Sequence, residues 1–226
     1  ICAFYLLAQF RELSAYPLIV DFFSIPGDKP VDATVDLLGG GLARILASVC
    51  HGNIEPIKQL IENQELNEHV KYSALDSLII LVVQGIISRE EIIKYYKELF
   101  SNLHANQDNV PQAKKGQNYI LGHLVMNSSM VAPLELQQYI EKTFNEGLIR
   151  PIDFERQEFE ELLEIGSEAT LKELRNDIHY SLIEDAISDI ESNCFTTFPF
   201  EQTRNTLAGI EGFSNSSNKS KSKVKS

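Results

Sequence analysis

The residues best suited to chemistry in this chain stand in pairs and triplets, and the spacing of each set argues against a reaction. Cys50-His51 puts a thiol beside an imidazole, the raw material of a thiolate nucleophile. A helix predicted over Leu42–Val49 ends there, however, and the negative end of a helix dipole disfavours a thiolate. His51 at that end reads as a cap. Gly39-Gly40-Gly41 could offer backbone N–H groups to an anion ahead of a helix. No strand precedes it and no Gly-Lys-Ser/Thr follows, so it is not a phosphate-binding loop and reads as a flexible inter-helix turn.

His179 lies among Asp177, Glu184 and Asp185, and His123 stands alone on a helix of mixed polarity. A metal needs three or four converging ligands, and His179 with Glu184 is spaced i, i+5, off one helix face. The acidic pairs Glu90-Glu91 and Glu160-Glu161 are adjacent and point apart on a helix, so neither is an acid/base pair. No catalytic residue, metal site or cofactor is nominated.

Composition narrows the classes further. A net charge of −12 argues against a nucleic-acid binder, because phosphate affinity needs clustered Lys and Arg. The charge is uneven: residues 1–150 carry 12 basic and 17 acidic groups, residues 151–211 carry 4 and 15, and four lysines follow. The acidic stretch reads as a solvated face. Cys2, Cys50 and Cys194 are far apart and odd in number, with no C-x-x-C, which indicates neither a disulfide framework nor zinc and fits a reducing cytoplasm. Leu75–Val83 is the richest aliphatic run and far too short for a membrane span, which needs about 18 apolar residues.

The elements that would position any site are helices. Leu42, Ile45, Leu46 and Val49 form an i, i+3, i+4, i+7 stripe, as do Ala74, Leu78, Leu81 and Val82. Partner helices carry Ile54, Ile57 and Ile61, then Ile92, Ile93, Tyr96 and Phe100. The punctuation between partners recurs. Gly52-Asn53 precedes Ile54-Glu55-Pro56, Gly85 precedes Ser88-Arg89-Glu90-Glu91, Ser14 precedes Pro17, and Pro133 opens a helix after Met130. Proline in a first turn costs nothing, since its missing N–H has no partner there. Ser88 with Glu91 is a capping-box pattern.

Ile25–Val35 and Ala105–Gly116 read as loops between pairs. After Pro151, Asp153–Ile165 and Ser167–Asn176 read as acidic helices, the second capped by Ser167, and Ile178–Ser192 as a strong last helix. Residues 193–226 read as an irregular to disordered tail, with Asn215–Ser226 of low complexity.

The segments Phe4–Phe10, Ala15-Tyr16-Pro17-Leu18-Ile19, Leu42–Val49 with Gly52–Lys58, and Ile178-His179-Tyr180-Ser181-Leu182-Ile183-Glu184-Asp185 carry a resemblance. Over roughly residues 3–192 the chain resembles a bacterial family of HEAT-like helical-repeat proteins to which no reaction is assigned. Some members end in a cysteine-rich SEC-C zinc motif; only Cys194 stands in that region here, so zinc does not carry over. Asn118–Met130 departs from the family pattern.

The expectation is therefore all-α: a right-handed superhelix of HEAT-like antiparallel helix pairs, an α-solenoid over residues 1–192. Pairs would fill 1–147 and acidic helices 148–192. Such solenoids hold partners, so the chain is expected to be a cytoplasmic protein-interaction scaffold without catalysis, binding neither nucleic acid nor membrane. Its partner protein would meet exposed residues of the second helices, namely Lys58, Gln59, Lys94, Tyr95, Gln138 and Lys142. The alternative is a regulatory or accessory repeat protein of an enzyme complex such as a lyase. Ile1–Phe10 carries no charge and is apolar nearly all round, with Leu6 and Phe10 expected to face the next pair and Cys2, Phe4 and Leu7 partly exposed. That predicts a further helix upstream or self-association on this edge.

Overall fold

The computed structural model describes residues 1–37, 40–107, 119–149 and 154–193. Among these, the helices are α1 (Cys2–Gln9), α2 (Ala15–Phe23), α3 (Lys29–Ala33), α4 (Gly41–Val49), α5 (Glu55–Glu62) and α6 (Glu68–Val83). They continue with α7 (Arg89–Gln107), α8 (Tyr119–Val131), α9 (Gln137–Asn145), α10 (Arg156–Ile165), α11 (Ser167–Leu174) and α12 (Ala186–Asn193). No strand occurs among the described residues, only a single bridge between Gly27 and Leu66. The chain is all-α.

The glycine punctuation works as the pattern implies. At the end of α6 the Ile86 N–H reaches the Leu81 carbonyl at 2.9 Å and the Gly85 N–H reaches Val82 at 3.0 Å. Gly85 takes φ +68°, the left-handed conformation this closure needs, which glycine adopts without a side-chain clash. The end of α1 makes the same closure without glycine. Glu12 N–H bonds Leu7 O at 2.9 Å and Arg11 N–H bonds Ala8 O at 3.0 Å, with Arg11 at φ 52°. Pro17 and Pro56 sit in the first turns of α2 and α5. Ser88 Oγ accepts the Glu91 N–H at 3.1 Å just before α7.

α1 packs on α4, α4 on α6, and α6 on α8, so the first member of each pair forms one row. Of the second members, α2 packs on α5 and α4, α5 on α6, α7 on α6 and α8, and α9 on α8. The C-terminal elements then return along the first row in reverse order. α10 packs on α8, α11 on α8 and α6, a 3-10 turn at Ile178–Tyr180 on α6, and α12 on α1.

This return explains the burial. Every residue of α4 is buried, and in α6 the run Ser73–Val83 is buried except Asp76. The stripes Leu42/Ile45/Leu46/Val49 and Ala74/Leu78/Leu81/Val82 are inside as expected. So are Ile79, Ile80 and Val83 on the other sides of α6, because a helix with neighbours all round must be apolar all round.

Several elements depart from the sequence reading. Ile178–Ser192 is not one helix: the 3-10 turn, irregular residues 181–185 and α12 replace it. The Ser181 carbonyl and the Ile183 N–H bond the side chains of Arg44 and Ser48 on α4, and the Ile183 carbonyl that of Arg11; those bonds compete with helical ones. α10 begins at Arg156, where Glu155 and Glu158 form a reciprocal capping box; Asp153 lies outside the described residues. Ser167 is the first residue of α11 rather than its cap, and its Oγ accepts from Arg89 at 2.7 Å. Ile25–Val35 contains α3, with Val31 and Pro30 buried. Pro133 sits in a turn, and α9 starts only at Gln137. Ala105–Gln107 belong to α7, and 108–116, Cys194 and the tail lie outside the described residues.

The facing of α1 is also turned. Tyr5 and Ala8 are buried, Leu6 and Phe10 are 45% and 71% exposed, and Phe4 packs on the rings of Phe22 and Phe23. The reason is a close approach between α1 and α4: a Cβ on Gly41 would lie 2.4 Å from the Tyr5 hydroxyl. Gly40 takes φ 105°, so this pair of glycines is a packing device rather than a merely flexible turn; Gly39 lies outside the described residues.

Candidate functional site

The candidate interaction residues fall on α5, α7 and α9 as expected, but not all face outward. Gln59, Lys94, Gln138 and Lys142 are exposed. Lys142 pairs loosely with Glu146 at 3.8 Å. Tyr95 is only 4% exposed, and Lys58 is half-buried with its ammonium 5.1 Å from the centre of the Tyr95 ring. Lys58 also bonds Glu55 at 2.6 Å. The structure thus brings Lys58 and Tyr95 together to join α5 to α7, through a cation over an aromatic face. Burial, with nearby Glu62, pushes the Tyr95 phenol well above its ordinary range.

The chemistry-bearing residues are held in structural bonds. Cys50 is fully buried at the end of α4, its Sγ 3.5 Å from the Ala47 carbonyl, and burial pushes its thiol up. His51 takes φ 49° and its Nε2 lies 2.9 Å from the Arg11 carbonyl; a carbonyl only accepts, so Nε2 carries the proton. His179 bonds Asp177 at 2.7 Å, and the same Asp177 oxygen accepts the His179 N–H, capping the 3-10 turn.

His123 is not alone. Its Nε2 meets Asp76 Oδ1 at 2.7 Å, Asn127 Nδ2 donates to the same oxygen at 3.0 Å, and Tyr72 stacks on the imidazole at 4.6 Å. Asp76 lies on α6 and His123 and Asn127 on α8, so the cluster rivets two first helices. The pairing was invisible in sequence because Asp76 and His123 are 47 residues apart. Among the described residues no group of three or more His, Cys, Asp or Glu could hold a metal ion.

The residues that sequence reasoning passed over are arginines. Arg44 is 5% exposed, and its guanidinium bonds the Ser181 carbonyl at 2.9 Å, Ser181 Oγ at 3.0 Å and the Leu182 carbonyl at 3.1 Å. It also pairs with buried Asp189 of α12. Arg11 bonds the Ile183 carbonyl at 2.6 Å and Glu184 at 2.5 Å. Ser48 Oγ accepts the Ile183 N–H at 3.0 Å, Gln9 Oε1 the Ala186 N–H at 2.9 Å, and Gln84 donates to the Tyr180 carbonyl at 2.8 Å. Arg89 joins α7 to the next elements, reaching Glu135 at 2.5 Å and the Val131 carbonyl at 3.3 Å. A signal for Arg44 was present: an arginine within Leu-Ala-Arg-Ile-Leu-Ala needs a buried acceptor.

Fold and site together define an all-helical protein whose paired helices are closed by a returning C-terminal segment. The chain belongs to the family described as "Protein of unknown function (DUF1186)", whose model matches residues 1–196. A Chlamydia trachomatis protein titled "Uncharacterized protein" is 35% identical over 200 residues, covering 88% of this chain and 74% of that one. A Chlamydia muridarum protein of the same title is 34% identical over 200 residues, covering 88% and 75%. No solved structure matches. No described helix is long and apolar enough to cross a membrane.

Proposed function

We propose that this chain is a HEAT-like helical-repeat scaffold of the bacterial cytoplasm, binding a protein partner along its second helices and catalysing nothing itself. The observation that carries the reading is the exposure of Gln59, Lys94, Gln138 and Lys142 on α5, α7 and α9, while the first helices are covered by the C-terminal return. Helix-pair solenoids present second-helix residues to partners, and these side chains are among those exposed there. Cys50 fits the non-catalytic reading, since its thiol is fully buried at the end of α4 and pushed up by burial, which makes it a poor nucleophile. Self-association through the N-terminal helix is part of the proposal, supported by exposed Leu6 and Phe10.

The test compares the native chain with a variant carrying Gln59→Ala, Lys94→Glu, Gln138→Ala and Lys142→Glu. Both are used as bait in lysate of the native host, after matched thermal melts. A saturable partner captured by the native chain and lost with the variant supports the reading. Equal capture by both removes the second-helix row as the binding surface.

A further inference from the structure

The side of α1 opposite its buried face is apolar and uncovered. Tyr5 and Ala8 are buried, and the helical repeat puts Ala3, Leu6 and Phe10 on the other side. Ala3 is exposed, and Leu6 and Phe10 are 45% and 71% exposed. Phe10 still follows the helix, since its N–H bonds the Leu6 carbonyl at 3.0 Å. In the row of first helices, α4 and α6 are apolar on two sides because each has a neighbour on both. α1 has the same two-sided character with one side open.

We propose that this face binds a second copy of the chain, α1 against α1, antiparallel across a twofold axis. The inference rests on the self-association part of the reading above and gives it a geometry. Charge selects the place. The chain carries −12 overall, yet residues 1–10 hold no charged side chain, so copies meet here without like-charge repulsion. Size selects the direction. Antiparallel pairing sets Phe10 of one copy over the small Ala3 of the other and brings the two Leu6 side chains together near the axis. Parallel pairing would oppose Phe10 to Phe10, leave a gap at Ala3, set Glu12 beside Glu12 and align the two helix dipoles.

The antiparallel contact uses the same patch on both copies, so it closes at two. Its area bounds its strength. Ile1, Leu6, Phe10 and Leu13, the last in the turn that follows, are 40%, 45%, 71% and 58% exposed. That is roughly 400 Å2 of apolar surface, the size of the largest patch on a typical monomer. Two such patches bury about 800 Å2, below the size of stable complexes, so the dimer is weak and reversible.

The test is sedimentation of the full chain from about 1 µM to about 100 µM, where a weak monomer–dimer equilibrium shows. Ala3→Leu is the discriminating variant. Ala3 is exposed, so the fold tolerates the change, but the added side chain takes the space that Phe10 of the partner needs. The dimer should weaken about 10-fold. A surface that is merely sticky would instead associate more strongly with the added apolar area. In a background of Cys2→Ser and Cys194→Ser, Leu6→Cys should oxidise to a covalent dimer and Ala3→Cys should not.

A dimer unchanged or tightened by Ala3→Leu overturns the antiparallel pairing and leaves self-association standing. So does an Ala3→Cys dimer without a Leu6→Cys one. Species larger than a dimer contradict the closed contact and overturn it as well. A native chain that stays monomeric over this range removes both the pairing and self-association, and leaves the second-helix surface untouched.

Discussion

Arg44 of α4 and Asp189 of α12, 145 residues apart, form an ion pair in which each side chain is 6% exposed. Both carboxylate oxygens engage the guanidinium, one of them at 3.2 Å from Nη2. The rest of the guanidinium bonds Ser181 and Leu182, so the arginine's donors are directed at one segment of chain. A buried pair of this kind gains less than its Coulomb attraction suggests, because both charges lose water. Its consequence is positional: it sets where the C-terminal return crosses α4.

Arg44→Ala should therefore cost about 3–5 kcal/mol in urea denaturation, since it strands Asp189 without a partner. Arg44→Met combined with Asp189→Leu should cost far less, as an apolar pair of similar volume removes both charges. A single-variant loss under about 1 kcal/mol would show that the carboxylate reaches water.

Leu78 and Gln138 give the contrast between core and surface. Leu78 is fully buried in α6, and Leu78→Ala should cost about 2–5 kcal/mol, the transfer term plus the cavity left behind. Gln138 is exposed on α9, and Gln138→Ala should stay within about 0.5 kcal/mol. Similar losses for the two in denaturant titrations would contradict the assigned facing.

The approach of α1 to α4 is testable through Gly41→Ala. The added Cβ meets the Tyr5 hydroxyl at 2.4 Å, and overpacking of this kind costs about 1–3 kcal/mol. In a Tyr5→Phe background the same change should cost less, because the contacted oxygen is gone. A penalty unchanged by Tyr5→Phe would place the clash elsewhere.

The cysteines should differ in reactivity. Cys2 is exposed, whereas Cys50 is buried and its thiol is pushed above the ordinary range, so less of the reactive thiolate forms at neutral pH. Alkylation at pH 7.5 (about one unit below an ordinary thiol pKa), followed by peptide mass mapping, should show Cys2 modified well before Cys50. Equal rates would mean that the end of α4 is open.

Phe10 tests self-association at the N-terminal edge. It is 71% exposed, so Phe10→Glu should leave the melting temperature nearly unchanged. If copies dock on this edge, sedimentation of the native chain should be concentration-dependent and that of Phe10→Glu should not. A native chain that sediments as a monomer throughout removes the proposal.

The helices from α4 to α7 were legible because their determinants are local. Apolar residues three and four apart, glycine after the last turn, proline inside the first and serine at an N-cap act within a few residues. Asp28 and Glu155 show the limit of that reading, for α3 and the capped start of α10 were not marked strongly enough to place. Periodicity reports which faces are apolar, not which element covers them. The same pattern on α6 is compatible with an open stripe or, as here, a helix enclosed all round. Tyr95 and Lys58 looked like surface residues until α5 and α7 brought a cation over a ring, and His123 looked solitary until α6 supplied Asp76. Ile178–Ser192 reads as a helix by itself, and its apolar spacing is real. Only the folded molecule sets Arg44, Ser48, Arg11 and Gln9 beside it, and their side chains bond main-chain groups that a helix would have kept for itself. Local hydrogen bonds are written in neighbouring residues, whereas these partners lie 135 to 177 positions away and exist only once the row of first helices has formed.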